Sequence, residues 1–480
     1  MAVIRNYKRL FIGGKWLEPV NGEMIEVRSP HDRSLVGHAA LASAKDIDLA
    51  VAAARKAFDE GPWPRMSPAE RREVIARFDK LHAARIDEIA DLISAENGSA
   101  RWFTGWTLGA LTVQTSAFLR ASEKLAWEEN VSSDEQRTAI VRREPVGVVA
   151  AVIPWNAPHQ SALVKLVPAL LAGCTVILKA SPETALDALL LGELFAEVGL
   201  PEGVVSILPA DRKTSEYLVS HPDIDKVAFT GSTAAGRRIA SLAGEQLRRI
   251  SLELGGKSAA IILEDADLDA MAEGLKFLSF GNNSESCVAH TRILAPKSRY
   301  EEIVDKLKQL VESFVVGDPS DSATFIGPMI RADQAQRVRD YIEIGIAEGA
   351  RLVTGGPEVP EGLERGFYVR PTLFADVSNS MRIAREEIFG PVLVVIPYED
   401  EADAVRIAND SPYGLGGGVW TADPKRGIEI ARQVRTGFFS VNGAPPSFDG
   451  PFGGYKASGI GREFGAIGLN QYVEYKTITA

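Results

Sequence analysis

Along residues 45–127 apolar side chains recur three and four positions apart, as in DIDLAVAAARKAF (46–58) and RREVIARFDKLHAARIDEIADLISAENG (71–98). That period predicts amphipathic helices. Near residue 137 the texture changes. RTAIVRREP (137–145) alternates and predicts a half-buried strand. VGVVAAVIP (146–154) is apolar throughout and predicts a strand buried on both faces. Strands and helices then alternate: helix 158–172, strand 174–180, helix 185–198, strand 203–209, a short helix near 212–220, strand 226–230, helix 233–243 and strand 248–254. A second run follows, with strand 258–263, helix 267–280, a polar loop around 287, helices 299–314 and 331–349, strands near 351–354 and 391–397, and helix 401–409. Val- and Ile-rich strands separated by helices predict an α/β fold with parallel sheets covered on both faces. Such sheets bind ligands at the carboxyl ends of their strands. The pieces at 137–145 and 471–478 have no evident partner within either run. They are expected to extend a sheet edge, including that of another subunit.

Composition narrows the class. The chain has 480 residues, 45% hydrophobic and 24% charged, with a formal net charge of −11. That is ordinary for a soluble protein of two or more domains. The charge is dispersed, which argues against a nucleic-acid or anionic-membrane surface. Two cysteines cannot build a disulfide framework, so a cytoplasmic location is expected. MAVIRNYKRLFIGGKWLEP lacks the apolar core of a signal peptide. The most apolar stretch is interrupted by Pro154, Pro158, Pro168, Gln160 and Lys165, so no spanning helix is expected. The six histidines are scattered without ligand spacing, and no metal site is expected.

Four stretches could carry chemistry. NNSESCVAH (282–290) places Cys287 among polar neighbours. It is either a structural thiol or a reactive one in a partly open loop. Cys174, in LLAGCTVILKA, reads as buried filler. In SLELGGKSAA (251–260), Glu253 ends an apolar strand. It is either an edge glutamate facing water or a desolvated general base, and the two following glycines permit close approach. FTGSTAAGRRIA (229–240) is a strand, turn and helix start. It either holds a phosphate or is a plain connection. In VIPWNAP (152–158), Asn156 is either an N-cap or an oxyanion donor.

Together the pieces are more specific. PWNAP, LKASPET, FTGST, LELGGKS, Cys287 downstream of Glu253, EEIFGPV and PFGGYKASGIGRE occur in one order. This closely resembles the aldehyde dehydrogenase superfamily, in its hydrolytic branch, from about residue 8 to the end. The resemblance implies a Rossmann-like cofactor domain (1–126 and 146–252), a catalytic domain (253–445) and a small β bridging element (127–145 and 466–480). It also implies a homodimer or homotetramer built through that element. By resemblance, Cys287 is the nucleophile that attacks an aldehyde carbon. Asn156 and the Cys287 N–H hold the oxyanion, hydride passes to the nicotinamide, and Glu253 activates water to release the acid. Lys165 and Glu463 match positions that pass the proton onward. NAD is the implied cofactor, with NADP possible. It would be held by Ile153, Pro154, Trp155, Lys179, Pro182, Gly231, Ser232, Gly236, Leu254, Glu387 and Phe389. Ala157, Ser161, Val164, Val288 and Phe452 would line the substrate tunnel and suggest a roomy, apolar aldehyde.

The chain departs from the family pattern in three places. Pro182 stands where many NAD-preferring members have glutamate, with Glu183 next to it. Ser284-Glu285-Ser286 replaces the usual Gly-Gln-x before the cysteine. Ala157 replaces a common phenylalanine. Glu285 beside a nucleophilic thiol has two readings: it faces solvent or an arginine, or it holds the thiol protonated until cofactor binds. The rival functions are a CoA-acylating dehydrogenase, which does without Glu253, and a non-catalytic binding protein on the same fold.

Overall fold

The computed structural model describes residues 5–133 and 137–480. The first large sheet runs in the order Gly459–Ile460, Arg249–Glu253, Lys226–Thr230, Val148–Val152, Thr175–Ala180, Val205–Pro209, Leu10–Ile12, Lys15–Leu17. Its five central strands, from Arg249–Glu253 to Val205–Pro209, are parallel. Val148, Val149, Ala150 and Ala151 are fully buried, as an uninterrupted apolar strand between two helical layers must be. From Val148–Val152 the chain adds two strands on one side, then returns to add Lys226–Thr230 and Arg249–Glu253 on the other. The segments leaving Val152 and Thr230 therefore diverge, and a crevice opens at the carboxyl ends of these strands.

The second sheet runs Arg351–Thr354, Thr372–Ala375, Val392–Tyr398, His290–Pro296, Ser258–Ile262, Gly417–Trp420, Ser440–Val441. All its neighbours are parallel except the first pair. Four of its strands were not expected from the sequence: His290–Pro296, Thr372–Ala375, Gly417–Trp420 and the short Ser440–Val441. His290–Pro296 opens on polar residues and carries a buried Arg292, whose guanidinium donates to the carbonyls of Lys257, Ile407 and Ala408. Gly417–Trp420 begins with two glycines. Burial inside the sheet overrides weak local propensity in both. The expected strand 146–154 is trimmed to Val148–Val152. Gly147 has φ +129° and Pro154 lacks an N–H, so neither extends the ladder.

The alternating pieces find each other. Val473–Thr479 pairs antiparallel with Ala139–Pro145, from Val473 opposite Pro145 to Thr479 opposite Ala139, and Glu128–Asn130 closes the other side. Neither run supplies a partner for these pieces; each pairs with the other. Residues 134–136 of the expected bridging segment, and residues 1–4, lie outside the described residues. A small sheet of Arg5–Tyr7, Leu35–Ala40 and Met24–Arg28 was also not expected from the sequence. Among the described residues, no helix is long and apolar enough to cross a membrane.

Candidate active site

Four strand ends of the first sheet converge on one cavity of about 1240 Å³. Val152 is followed by Ile153, Pro154, Trp155, Asn156 and Ala157, and the other strands deliver Lys179, Thr230 with Gly231 and Ser232, and Glu253 with Leu254. The opposite wall supplies Cys287, Val288, Glu387 and Phe389, and the C-terminal region adds Phe452 and Glu463. Ser161, Val164 and Pro182 also line the cavity. Of the site residues expected from the sequence, only Lys165 and Gly236 do not. Lys165 stands behind Glu463, its ammonium 2.5 Å from that carboxylate and 2.6 Å from the Thr230 hydroxyl. Gly236 lets the Thr233–Glu245 helix pack on Leu254, because a Cβ there would lie 2.5 Å from a Leu254 methyl.

Cys287 lies in the loop between the Leu268–Phe280 helix and the His290–Pro296 strand. The loop is shaped by three consecutive left-handed residues, Asn282, Asn283 and Ser284, with φ of 56°, 56° and 57°. Asparagine tolerates this conformation better than most residues, and serine less well. Ser284 is held there by its hydroxyl, which donates to the Ser279 carbonyl at 2.7 Å. Sequence reasoning did not find this turn. Its only signal is the Asn-Asn pair.

The side-chain amide of Asn156 donates to the Glu285 carbonyl at 2.7 Å. A carbonyl only accepts, so this bond fixes which way the amide faces and leaves its second N–H for another acceptor. Asn156 is therefore not the N-cap that one reading of the sequence expected: the cap position of the Pro158–Ala172 helix is Ala157, and no side chain bonds there. Glu285 departs from both expectations. Its carboxyl is buried and accepts from the Ile330 N–H at 3.2 Å, neither facing solvent nor ion-paired with an arginine. Burial holds this carboxyl well above the usual carboxylate range, which disfavours a charge beside the thiol.

The glycines after Glu253 are required by close approach. A Cβ on Gly256 would lie 2.3 Å from the Cys287 carbonyl oxygen, and one on Gly255 would lie 2.3 Å from a Glu387 carboxylate oxygen. Glu387 is held there by the Gly256 N–H at 3.0 Å.

Burial pushes the Cys287 thiol up to about 12, and the carboxylates of Glu387 and Glu253 add to the shift. Its own backbone N–H acts the other way. Glu253 is buried, and neither carboxyl oxygen has a partner within the protein. Burial first, then the nearby Glu463, holds its carboxyl well above the usual carboxylate range, while Lys165 opposes the shift. A desolvated carboxyl beside a half-buried thiol is an arrangement suited to proton transfer and covalent chemistry.

The same cavity can hold a large anionic nucleotide. Its volume exceeds the roughly 300–1,000 Å³ of ordinary small-molecule sites. The Lys179 ammonium is buried, and burial lowers it to about 8. Ser232 caps the Thr233–Glu245 helix by accepting from the Ala235 N–H, a helix start of the kind that holds phosphates. Trp155 and Phe389 meet edge to face at 5.6 Å, with Phe389 at φ +64°. Glu183, the carboxylate nearest Pro182 in the chain, is ion-paired with Arg331, which also lies over the Trp155 ring at 5.9 Å. The other lobe is apolar. Beyond the expected Ala157, Ser161, Val288 and Phe452, it includes Phe103, Trp106, Phe277 and Phe438, which the sequence reading missed. Trp106 is 63% exposed at the rim. In the sequence Phe103, Trp106 and Phe277 look like ordinary helix-core residues. Among the described residues, no cluster of histidine, cysteine or carboxylate side chains could hold a metal ion.

The chain is 45% identical to a geranial dehydrogenase of Castellaniella defragrans, over 98% of each chain. It is 49% identical to an aldehyde dehydrogenase of Mycobacterium tuberculosis solved with NAD+, with a TM-score of 0.95 over 99% of this chain and 98% of that one. A mutant of aldehyde dehydrogenase C of Pseudomonas syringae, solved with NAD+ and octanal, is 38% identical, with a TM-score of 0.95 over 100% of this chain and 98% of that one. The pattern of the aldehyde dehydrogenase family matches residues 16–478, and the chain belongs to that family.

Proposed function

We infer that the protein oxidises an aldehyde to its carboxylic acid with NAD as hydride acceptor. The observation that carries this reading is that Cys287, Asn156 and Glu253 share one cavity, with Glu253 buried and unpartnered. Cys287 Sγ adds to the aldehyde carbon. The free N–H of Asn156 and the Cys287 backbone N–H take the charge that develops on oxygen. Bound NAD supplies the hydride acceptor that turns the thiohemiacetal into a thioester. Glu253 then takes a proton from water, which attacks the thioester and frees the acid. Glu463 receives that proton in turn, and Lys165, bonded to Glu463, passes one of its own protons onward. In the free protein the thiol holds its proton, so Cys287 becomes nucleophilic only when its surroundings change, as through a positive charge brought beside it.

Lys179 and Glu387 would hold the two ribose units, and the helix start at Ser232 the pyrophosphate. Ile153, Pro154, Trp155, Gly231, Leu254 and Phe389 would shape the walls, with Gly236 supporting from behind. Pro182 supplies no carboxylate where many members have glutamate, and Glu183 beside it is paired with Arg331, so NADP is accepted as a weaker cofactor. The substrate is a roomy, apolar aldehyde. The aromatic lobe supports this, as do the geranial dehydrogenase and the octanal complex among the similar proteins.

The same reading carries the domain division: a cofactor domain of 1–126 and 146–252, a catalytic domain of 253–445, and a bridging element of 127–145 and 466–480. It places assembly into dimers or tetramers at the outer edge of Val473–Thr479. Two free cysteines fit a cytoplasmic setting. A CoA-acylating enzyme would leave the buried Glu253 without a task. The test is a panel of aliphatic, aromatic and terpenoid aldehydes assayed with NAD and NADP. Acid and NADH should form in equal amounts, fastest with long apolar aldehydes. Turnover that requires CoA would refute the reading.

A further inference from the structure

Beyond the groups that meet substrate, one side chain ties the nucleophile loop to the oxyanion arm. Asn282 is buried, and its amide makes three of the four hydrogen bonds open to it, using both N–H groups. Its oxygen accepts from the Ser99 hydroxyl. One N–H donates to the main-chain carbonyl of Asn156 at 2.8 Å, and the other to the carbonyl of Glu285 at 3.2 Å. The Glu285 carbonyl also accepts from the Asn156 side chain. Asn282 and Asn156 thus share one acceptor two residues before Cys287, and Asn282 grips Asn156 by its backbone as well. Asn97 supports the same stretch from the other side, donating to the carbonyls of Trp155 at 3.2 Å and Asn156 at 3.4 Å.

The backbone of Asn282 is itself unusual, with φ 56° and ψ 42°. A residue held in this region by three side-chain hydrogen bonds is over-determined by its surroundings, a feature common where geometry must be set closely. Ser99 lies just before the Arg101–Lys124 helix, so the amide is anchored to a different part of the chain from either segment it joins.

We propose that Asn282 is a positioning residue: it fixes the separation between the free N–H of Asn156 and the thiol of Cys287. It touches no substrate and acts through Asn156. The inference rests on the reading of Asn156 as the oxyanion donor. Misplacement of a reacting group by about 1 Å costs on the order of 100-fold in rate.

The experiment is a double-mutant cycle on the intact enzyme, read by the rate of the first NADH turnover with an apolar aldehyde. Asn282→Gly keeps the left-handed backbone accessible and removes only the side chain. It should slow that turnover by roughly 10- to 100-fold. The aldehyde KM should stay within about threefold, and NAD affinity and the alkylation of Cys287 by iodoacetamide should be unchanged. In an Asn156→Ala background, Asn282→Gly should cost less than about threefold further, because residues acting as a unit are not additive. If Asn282→Gly proves unstable, Ser99→Ala loosens the same amide more gently and should show the same non-additivity with smaller losses. A harmless Asn156→Ala would sink the parent reading. A costly Asn156→Ala on which Asn282→Gly imposes its full loss again would leave that reading intact and overturn this inference.

Discussion

The side-chain amide of Asn156 is bonded to the backbone of the loop that carries Cys287, donating to the Glu285 carbonyl at 2.7 Å. The two therefore move as one unit, and the remaining N–H of Asn156 is aimed without a reorganisation cost when charge develops. Asn156→Ala should lower kcat by roughly 10²–10³, the loss usual for one oxyanion donor. Steady-state kinetics check this; a change confined to KM would reduce Asn156 to a binding contact.

The two cysteines should behave oppositely. Cys174 is fully buried, its thiol is pushed up to about 11 by burial, and it lies 3.4 Å from the Tyr472 carbonyl, remote from the cavity lining. Cys174→Ala should keep most of its activity and lose stability through a small cavity, about 1 kcal/mol. Cys287→Ala should lose oxidation while still binding NAD. Activity assays with NAD titration by fluorescence distinguish the two.

Glu285→Gln should leave the alkylation of Cys287 against pH unchanged in the free enzyme, since the Glu285 carboxyl is buried on the Ile330 N–H and burial disfavours its charged form. Its effect belongs to stability. Burial holds this carboxyl well above its usual range, so the folded state binds the proton more tightly than the unfolded chain does. That contribution is complete below the ordinary carboxylate pKa and is lost as pH rises through the raised folded value. The glutamine of the variant cannot ionise. Melting temperatures followed from acid to neutral pH should therefore fall for the native protein relative to the variant. Parallel curves would show that Glu285 does not titrate in that window.

Pro182→Glu should sharpen the preference for NAD over NADP. In the native chain Glu183, next to Pro182, is taken up by Arg331, and Asp211 near Lys179 accepts from the Thr214 N–H. A glutamate introduced there can bond a ribose hydroxyl and would repel a 2′-phosphate. The ratio of kcat/KM values for the two cofactors measures it. An unchanged ratio would place Pro182 away from the ribose.

Much of this was legible in the chain, for identifiable reasons. The Lys226–Thr230 strand was readable to the residue, because an apolar run ends at a Gly-Ser-Thr turn. The Glu401–Asn409 helix was equally clear from its spacing and its Asp400 cap. Pairings distant in sequence were not, since nothing local in Ala139–Pro145 names Val473–Thr479 as its neighbour. The backbone of Asn282–Ser284 was hidden because three left-handed residues in a row are imposed by tertiary hydrogen bonds, not by propensity. Glu285 misled for the same reason: a glutamate in a polar loop reads as exposed until the chain from Ile330 closes over it. Trp106 and Phe277 were hidden because an aromatic residue in a helix has the same pattern whether it faces a core or a cavity.

The central claim is that Cys287 carries the acyl group and Glu253 releases it. Glu253 has no partner in the protein for either carboxyl oxygen, and a Cβ on Gly453, at φ +149°, would come within 2.6 Å of one of them. The site is thus built around this carboxyl, and Glu253→Gln replaces it with a group of equal size that cannot take a proton. The most direct measurement is intact-protein and peptide mass spectrometry of Glu253→Gln, quenched after mixing with NAD and an apolar aldehyde, alongside the time course of NADH. The account predicts one burst of NADH per active site, a stall, and the acyl mass on the peptide containing Cys287. Steady turnover at the native rate with no adduct on Cys287 would contradict it.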